Sequence, residues 1–99
     1  MTQVTLKQDG KTLTALLSGE LDHHGTSLLR ETIDERISAA APAILVLDFA
    51  SVTFMDSSGI GLILGRHKLV SAIGGVVMVQ NVPAGIKRTL AIAGIESRE

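Results

Sequence analysis

The 99-residue chain has no cysteine, tryptophan or tyrosine, only two phenylalanines and two prolines, and no apolar run long enough to span a bilayer. Each absence narrows the field. Without thiols there is neither a disulfide framework nor a thiolate zinc site, and the redox compartment leaves no mark on the chain. With Phe49 and Phe54 as the only aromatics, stacking platforms for bases or sugars are lacking, and the core has to be built from Leu, Ile, Val and Ala. Asp48, Arg66 and Lys68 interrupt the best apolar stretches, and residues 1–7 alternate polar and apolar instead of showing the basic start and apolar run of a signal peptide. Membrane insertion and secretion are therefore not expected, and the cytoplasm is the default location.

Nine basic against ten acidic side chains give a formal charge of −1, so no overall field steers the chain toward nucleic acid or anionic lipid. Any partner has to be chosen by a local surface, and a direct nucleic-acid partner is not expected. A hydrophobic content of 45% in this length is enough for one core and leaves no room for a second domain, so residues 1–99 read as a single unit.

Val4 and Leu6, then Leu13, Ala15 and Leu17, alternate with polar residues on either side of Asp9-Gly10, a favoured pair for a tight hairpin turn. Over residues 26–40, Leu29, Ile33, Ile37 and Ala40 share one helical face, away from Arg30, Glu31, Asp34 and Glu35. Pro42 stops that helix, and the nearly unbroken apolar run 44–49 reads as a central strand covered on both faces. A second helix is expected over 58–73, ending at Gly74-Gly75, followed by a short central strand over 76–79. Asn81 and Pro83 suit a third helix start, and Gly94 its stop. Strands alternating with helices predict an α/β fold: a mixed β-sheet with right-handed crossovers and helices packed on it.

The stretch Phe54-Met55-Asp56-Ser57-Ser58-Gly59-Ile60-Gly61 lies beyond the carboxyl end of a buried strand and opens a helix, where open α/β sheets place their functional loops. Two readings stand side by side. Asp56, Ser57 or Ser58 caps otherwise unpaired backbone N–H groups. Alternatively, one serine is displayed for modification at the positive end of the helix dipole, where a phosphate is electrostatically welcome.

Four segments carry a resemblance: Gly19-Glu20-Leu21-Asp22-His23-His24, Phe54-Met55-Asp56-Ser57-Ser58-Gly59, Ile63-Leu64-Gly65-Arg66-His67-Lys68 and Pro83-Ala84-Gly85-Ile86-Lys87-Arg88. Together they resemble the STAS domain, in particular its anti-sigma-factor antagonists, over almost the whole chain. The resemblance implies that Ser57, the serine directly after the aspartate, is phosphorylated by an anti-sigma factor that is also a serine/threonine kinase, and that a protein phosphatase reverses the mark. Unmodified protein would bind the kinase and free the sigma factor; phosphorylated protein would let go. Asp22, His23, Asp56, Ser58, Gly59, Ile60 and Leu62 are the residues expected to form the partner surface around Ser57. Related domains usually continue through another strand and a closing helix, whereas this sequence stops five residues after Gly94, so the expectation is either a scaffold shortened at its C-terminus or an incomplete sequence.

Other signals are weaker. His23-His24, in a strand-like loop, would point apart and lack further ligands, so no metal is expected. The Gly-x-Ser-x-Gly elbow of a serine hydrolase is missing around Ser57, and Gly59, Gly61 and Gly65 miss the dinucleotide spacing by one residue. Neither an enzymatic role nor a cofactor is expected. On the second helix Ile60, Ile63, Leu64 and Val70 form one apolar arc and Leu62, Leu69 and Ile73 another; one faces the sheet, and the other meets a neighbouring helix or a partner. An alternative function keeps the fold and makes the chain a STAS subunit that docks on an ABC transporter ATPase or a signalling assembly without phosphorylation.

Overall fold

A computed structural model describes residues 1–97 and orders them as β1 (Gln3–Asp9), β2 (Thr12–Leu21), α1 (His23–Ala40), β3 (Ile44–Met55), α2 (Ser57–Ala72), β4 (Val76–Gln80) and α3 (Ala84–Ile92). The opening alternation forms the antiparallel hairpin β1–β2, with Val4 opposite Leu17 and Leu6 opposite Ala15. Its closing pair is Asp9–Thr12, so the turn is Gly10-Lys11, one residue later than expected. Gly10 holds the left-handed φ of 60° that the first central position of such a turn requires.

β2, β3 and β4 are parallel, and the sheet runs β1-β2-β3-β4. Each crossover therefore steps in the same direction, and two right-handed crossovers in one direction place α1 and α2 on the same face. There Leu13, Ala15 and Leu17 of β2 and Leu45, Leu47 and Phe49 of β3 form one cluster with Leu29, Ile33 and Ile37 of α1 and Leu62, Ile63 and Val70 of α2, to which α3 adds Leu90. The run 44–49 is thus covered by helices on one face only. On the other, Val46 lies in register between Thr14 and Met78 and is 9% exposed, shielded by neighbouring strands instead of a second helical layer.

Two element boundaries also differ from expectation. β3 extends six residues past Phe49, to Met55, and has 12 residues against 10 in β2; the register slips between Leu16 and Ser18 and between Gly19 and Glu20 absorb the excess. Such bulges reset which side chains face inward, so Val52 is buried where strict alternation from Phe49 would have pointed Ser51 inward, and Phe54 is left 51% exposed. α1 starts at His23 and not at residue 26, because Asp22 caps it. α2 and α3 start and stop within a residue or two of expectation, with Pro83 at the N-cap of α3 and Gly94, at φ 80°, beyond its end.

Asp48, on the face opposite the helices, is 6% exposed and accepts three hydrogen bonds: from the Ala50 N–H at 2.9 Å, the Gln80 amide at 3.0 Å and the Asn81 amide at 2.8 Å. Burial disfavours its charge, but the three donors outweigh that penalty and hold the carboxyl below the ordinary value of 3.8. A depressed carboxyl stabilises the fold above its unfolded value, and that contribution is lost as pH falls through the folded value. Urea midpoints should therefore drop as pH is lowered below about 4. Asp48→Asn should be less stable at neutral pH by about 1–3 kcal/mol, because the two amide donors face an amide, and should show a shallower acid slope. Equal acid slopes for the two proteins would refute this assignment.

Candidate functional site

Parallel pairing of β2 with β3 ends at the pair Leu21–Met55, so both chains leave the sheet at the same edge. The next residue on each chain is an aspartate, and the Asp56 N–H donates to the Leu21 carbonyl at 3.3 Å, tying the two exits together. Each aspartate is a helix N-cap. Asp22 accepts from the Gly25 N–H at 2.7 Å and Asp56 from the Ser58 N–H at 2.8 Å. Neither helix has an acidic residue in its first turn, so two positive helix ends stand side by side beyond the carboxyl edge of the parallel strands.

Of the two readings of the Asp56-Ser57-Ser58 stretch, the cap belongs to Asp56. Ser57 is the first residue of α2, exposed, and its hydroxyl makes no hydrogen bond among the described residues. Ser58 is half-buried. Gly59 is buried in the first turn, where a Cβ would run into the Met55 side chain, so the bare backbone lets α2 start directly against the end of β3. His23 and His24 are not in a strand-like loop but in the exposed first turn of α1. No cluster of three His, Asp or Glu side chains that could hold a metal occurs among the described residues. No helix of the described residues is long and apolar enough to cross a membrane.

The structure thus brings Asp22, His23, Asp56, Ser57 and Ser58 to one edge. Ile60 is half-buried against the core, and Leu62, expected on the partner surface, is 4% exposed and belongs to the core. Leu62 reaches solvent only as the floor of a concavity of about 210 Å³ between the first turns of α1 and α2, lined also by His23, Thr26, Arg30, Ser58 and Gly61. Sequence reasoning set Arg30 off the apolar face of α1, in keeping with its exposure, but did not single out Arg30 or Thr26 for this face. His23, Thr26 and Arg30 are spaced three and four residues apart, a helical stripe that would have been visible had α1 been started at its true cap.

Below the concavity α1 is tied to α2 by an ion pair, Arg66 Nε to Asp34 Oδ1 at 2.8 Å. The Arg66 side chain is 6% exposed, the contact lacks hydrogen-bond alignment, and Nη1 is buried without a hydrogen-bond partner among the described residues. Burial raises the Asp34 carboxyl against the pull of Arg66 and Arg30, and burial likewise lowers Arg66. Desolvation thus weighs on both partners, and the pair serves to seat one helix on the other more than to add stability.

The family model for the STAS domain matches residues 3–98. An anti-sigma F factor antagonist of Paenibacillus polymyxa is 39% identical over 93 residues, which are 94% of this chain and 80% of the relative. An anti-sigma-B factor antagonist of Bacillus subtilis is 28% identical over 93 residues, 94% of this chain and 84% of the relative. Among solved structures, the anti-sigma factor antagonist SpoIIAA in its unphosphorylated form superposes with a TM-score of 0.84 at 31% identity, covering 94% of this chain and 82% of that one. The phosphorylated form of the Bacillus cell fate determinant SpoIIAA superposes with a TM-score of 0.76 at the same 31% identity, covering 94% and 85%.

The division of labour between cap and serine has a direct consequence for stability. Asp22→Ala and Asp56→Ala should each cost about 1 kcal/mol in urea denaturation, the usual loss for a capping carboxylate. Ser57→Asp should leave stability within about 0.5 kcal/mol of wild type or raise it slightly, since it adds negative charge at a helix start. A loss of about 1 kcal/mol or more for Ser57→Asp would mean that the serine, too, is structural.

Proposed function

The chain belongs to the STAS domain family, and on that premise we propose that it is an anti-sigma-factor antagonist that switches partners through phosphorylation of Ser57. The unmodified face around Ser57 binds an anti-sigma serine/threonine kinase and so frees the sigma factor, and phospho-Ser57 releases the kinase. The observation that carries this reading is the separation of roles at the start of α2: Asp56 makes the cap, which leaves the Ser57 hydroxyl exposed and uncommitted at the positive end of the helix.

In the transfer, Ser57 Oγ attacks the γ-phosphorus of ATP held by the kinase. The new O–P bond forms as the bond to the ADP oxygen breaks, and the hydroxyl proton passes to a base of the kinase. This chain is the substrate and not the catalyst, and a protein phosphatase returns it to the binding form by hydrolysis. Dependence on an ATP-using kinase places it in the cytoplasm. Asp22, His23 and Ser58 flank the acceptor, and half-buried Ile60 supports them.

A phosphate adds nearly two negative charges and three acceptor oxygens. At the start of α2 the fold tolerates it, because backbone donors and the dipole favour an anion there. In a desolvated interface the same charge lacks compensation, and a penalty of about 3 kcal/mol weakens binding on the order of a hundredfold. Regulation therefore acts on the complex while the domain stays folded.

The test is binding of the purified serine kinase to wild type, Ser57→Ala and Ser57→Asp, with ADP and ATP in separate arms. Wild type should hold the kinase with ADP and lose it as phosphate is transferred, Ser57→Ala should hold it in both arms, and Ser57→Asp should bind roughly a hundredfold more weakly. Equal binding by Ser57→Asp would overturn the reading, and selective capture of an ABC transporter ATPase would put a docking subunit in its place.

A further inference from the structure

The concavity beside Ser57 has a chemical character that the phosphoacceptor alone does not explain. Arg30 is exposed, lines it, and has no ion pair among the described residues. Of the nearby carboxylates, Asp34, one turn along α1, contacts Arg66 at 2.8 Å, and Asp22 and Asp56 each turn one oxygen to a helix N–H group, of Gly25 and of Ser58. Among the described residues no acidic side chain lines the concavity, and neither flanking helix has one in its first turn. Arg30 and Arg66 against Asp34 leave one excess positive charge in a shared field: Arg30 draws the Asp34 carboxyl down and makes the charge of Arg66 harder to hold.

Gly61 lines the same space and, having no side chain, leaves it open. A glycine in a helix interior is disfavoured relative to alanine, yet nothing lies within 4 Å of the position a Cβ would take there. A side chain would project into a concavity of about 210 Å³, enough for one inserted side chain and a few waters.

We propose that this concavity is the receptor for a carboxylate side chain of the partner protein, bound by the Arg30 guanidinium with the Ser58 hydroxyl beside it; the Thr26 hydroxyl is already donated to the Asp22 carbonyl at 2.9 Å and only shapes the wall. The proposal rests on the reading of this face as the kinase-docking surface and names the chemistry the kinase brings to it. Arg30 lies seven residues beyond His23, about 10 Å down the helix axis from the rim. A carboxylate on an inserted side chain meets the guanidinium, whose planar fork takes two carboxylate oxygens at once.

Affinity for the purified kinase, measured with ADP at low and at high salt, tests the proposal on Arg30→Gln, Arg30→Lys, Gly61→Leu and Ser57→Asp, with thermal melts as the check on folding. Arg30→Gln should bind on the order of tenfold more weakly and lose part of the salt dependence, and Arg30→Lys should recover part of both. Gly61→Leu should weaken binding by filling the space while melting at or above wild type. Replacing the acidic surface residues of the kinase one by one should find a carboxylate whose loss no longer matters in Arg30→Gln. The proposal falls if Arg30→Gln and Gly61→Leu bind like wild type while Ser57→Asp is released, or if no kinase carboxylate is coupled to Arg30. An Arg30 deficit seen with ATP but not with ADP would also overturn it, by pointing to the nucleotide phosphate as the ligand. Undiminished binding of Ser57→Asp would instead strike the phosphorylation switch, and a coupled loss in Arg30→Gln would still locate the carboxylate receptor.

Discussion

The parallel pairing of β2 with β3 through the pair Leu21–Met55 is the constraint on which the candidate site depends. Asp22 and Asp56 are thirty-four positions apart in the chain, yet both leave the sheet at one edge and both start a helix on one face. The alternative, antiparallel pairing, would send the two exits to opposite ends of the sheet and leave Ser57 without the neighbouring helix. Right-handed crossovers then complete the arrangement, because a chain that steps twice in the same direction has to lay both helices on the same side.

From that geometry follows the way the domain is able to carry a modification. The caps are made by carboxylates, Asp22 and Asp56, and the hydroxyl of Ser57 is not needed for the helix. Chemistry at the serine is thereby uncoupled from the stability of the core, which lies beneath in the aliphatic layer of β2, β3, α1 and α2. The Arg66–Asp34 contact holds the two helices in register without strong net stabilisation, since burial weighs against both charges. A pair of adjacent helix starts with an uncommitted hydroxyl and a guanidinium that has no ion pair among the described residues suits recognition, in which a partner reads shape and charge together.

Much of this was legible from short-range pattern. Alternation in β1 and β2 and the stripe Leu29, Ile33, Ile37 on α1 depend only on the periods of strand and helix, and they read correctly. The boundaries that failed did so for identifiable reasons. Ala50-Ser51-Val52-Thr53 does not look like a continuation of a central strand, because two register slips break its inward-outward alternation. The start of α1 was hidden by His23-His24-Gly25, poor helix formers whose placement comes from contact: Gly25 is buried where a Cβ would strike Thr2 and the Glu20 carbonyl. On α2 neither predicted arc is the buried face. Leu62, Ile63 and Val70 go inward together with Arg66, while Leu64, Leu69 and Ile73 stay exposed.

By itself the sequence determined that the chain forms an α/β unit with an aliphatic core, and that Ser57 stands between a buried strand and a helix in a motif shared with one family. Those properties are written in neighbours a few residues apart, where the helical and strand periods act. Only the tertiary structure decided that Asp22 sits beside Asp56, that Asp56 and not a serine makes the cap, that Leu62 supports the face from within the core, and that Arg30 opens into the space between two helices. These depend on which strands pair and on which helix covers which face, contacts between residues some thirty positions apart that no local periodicity encodes.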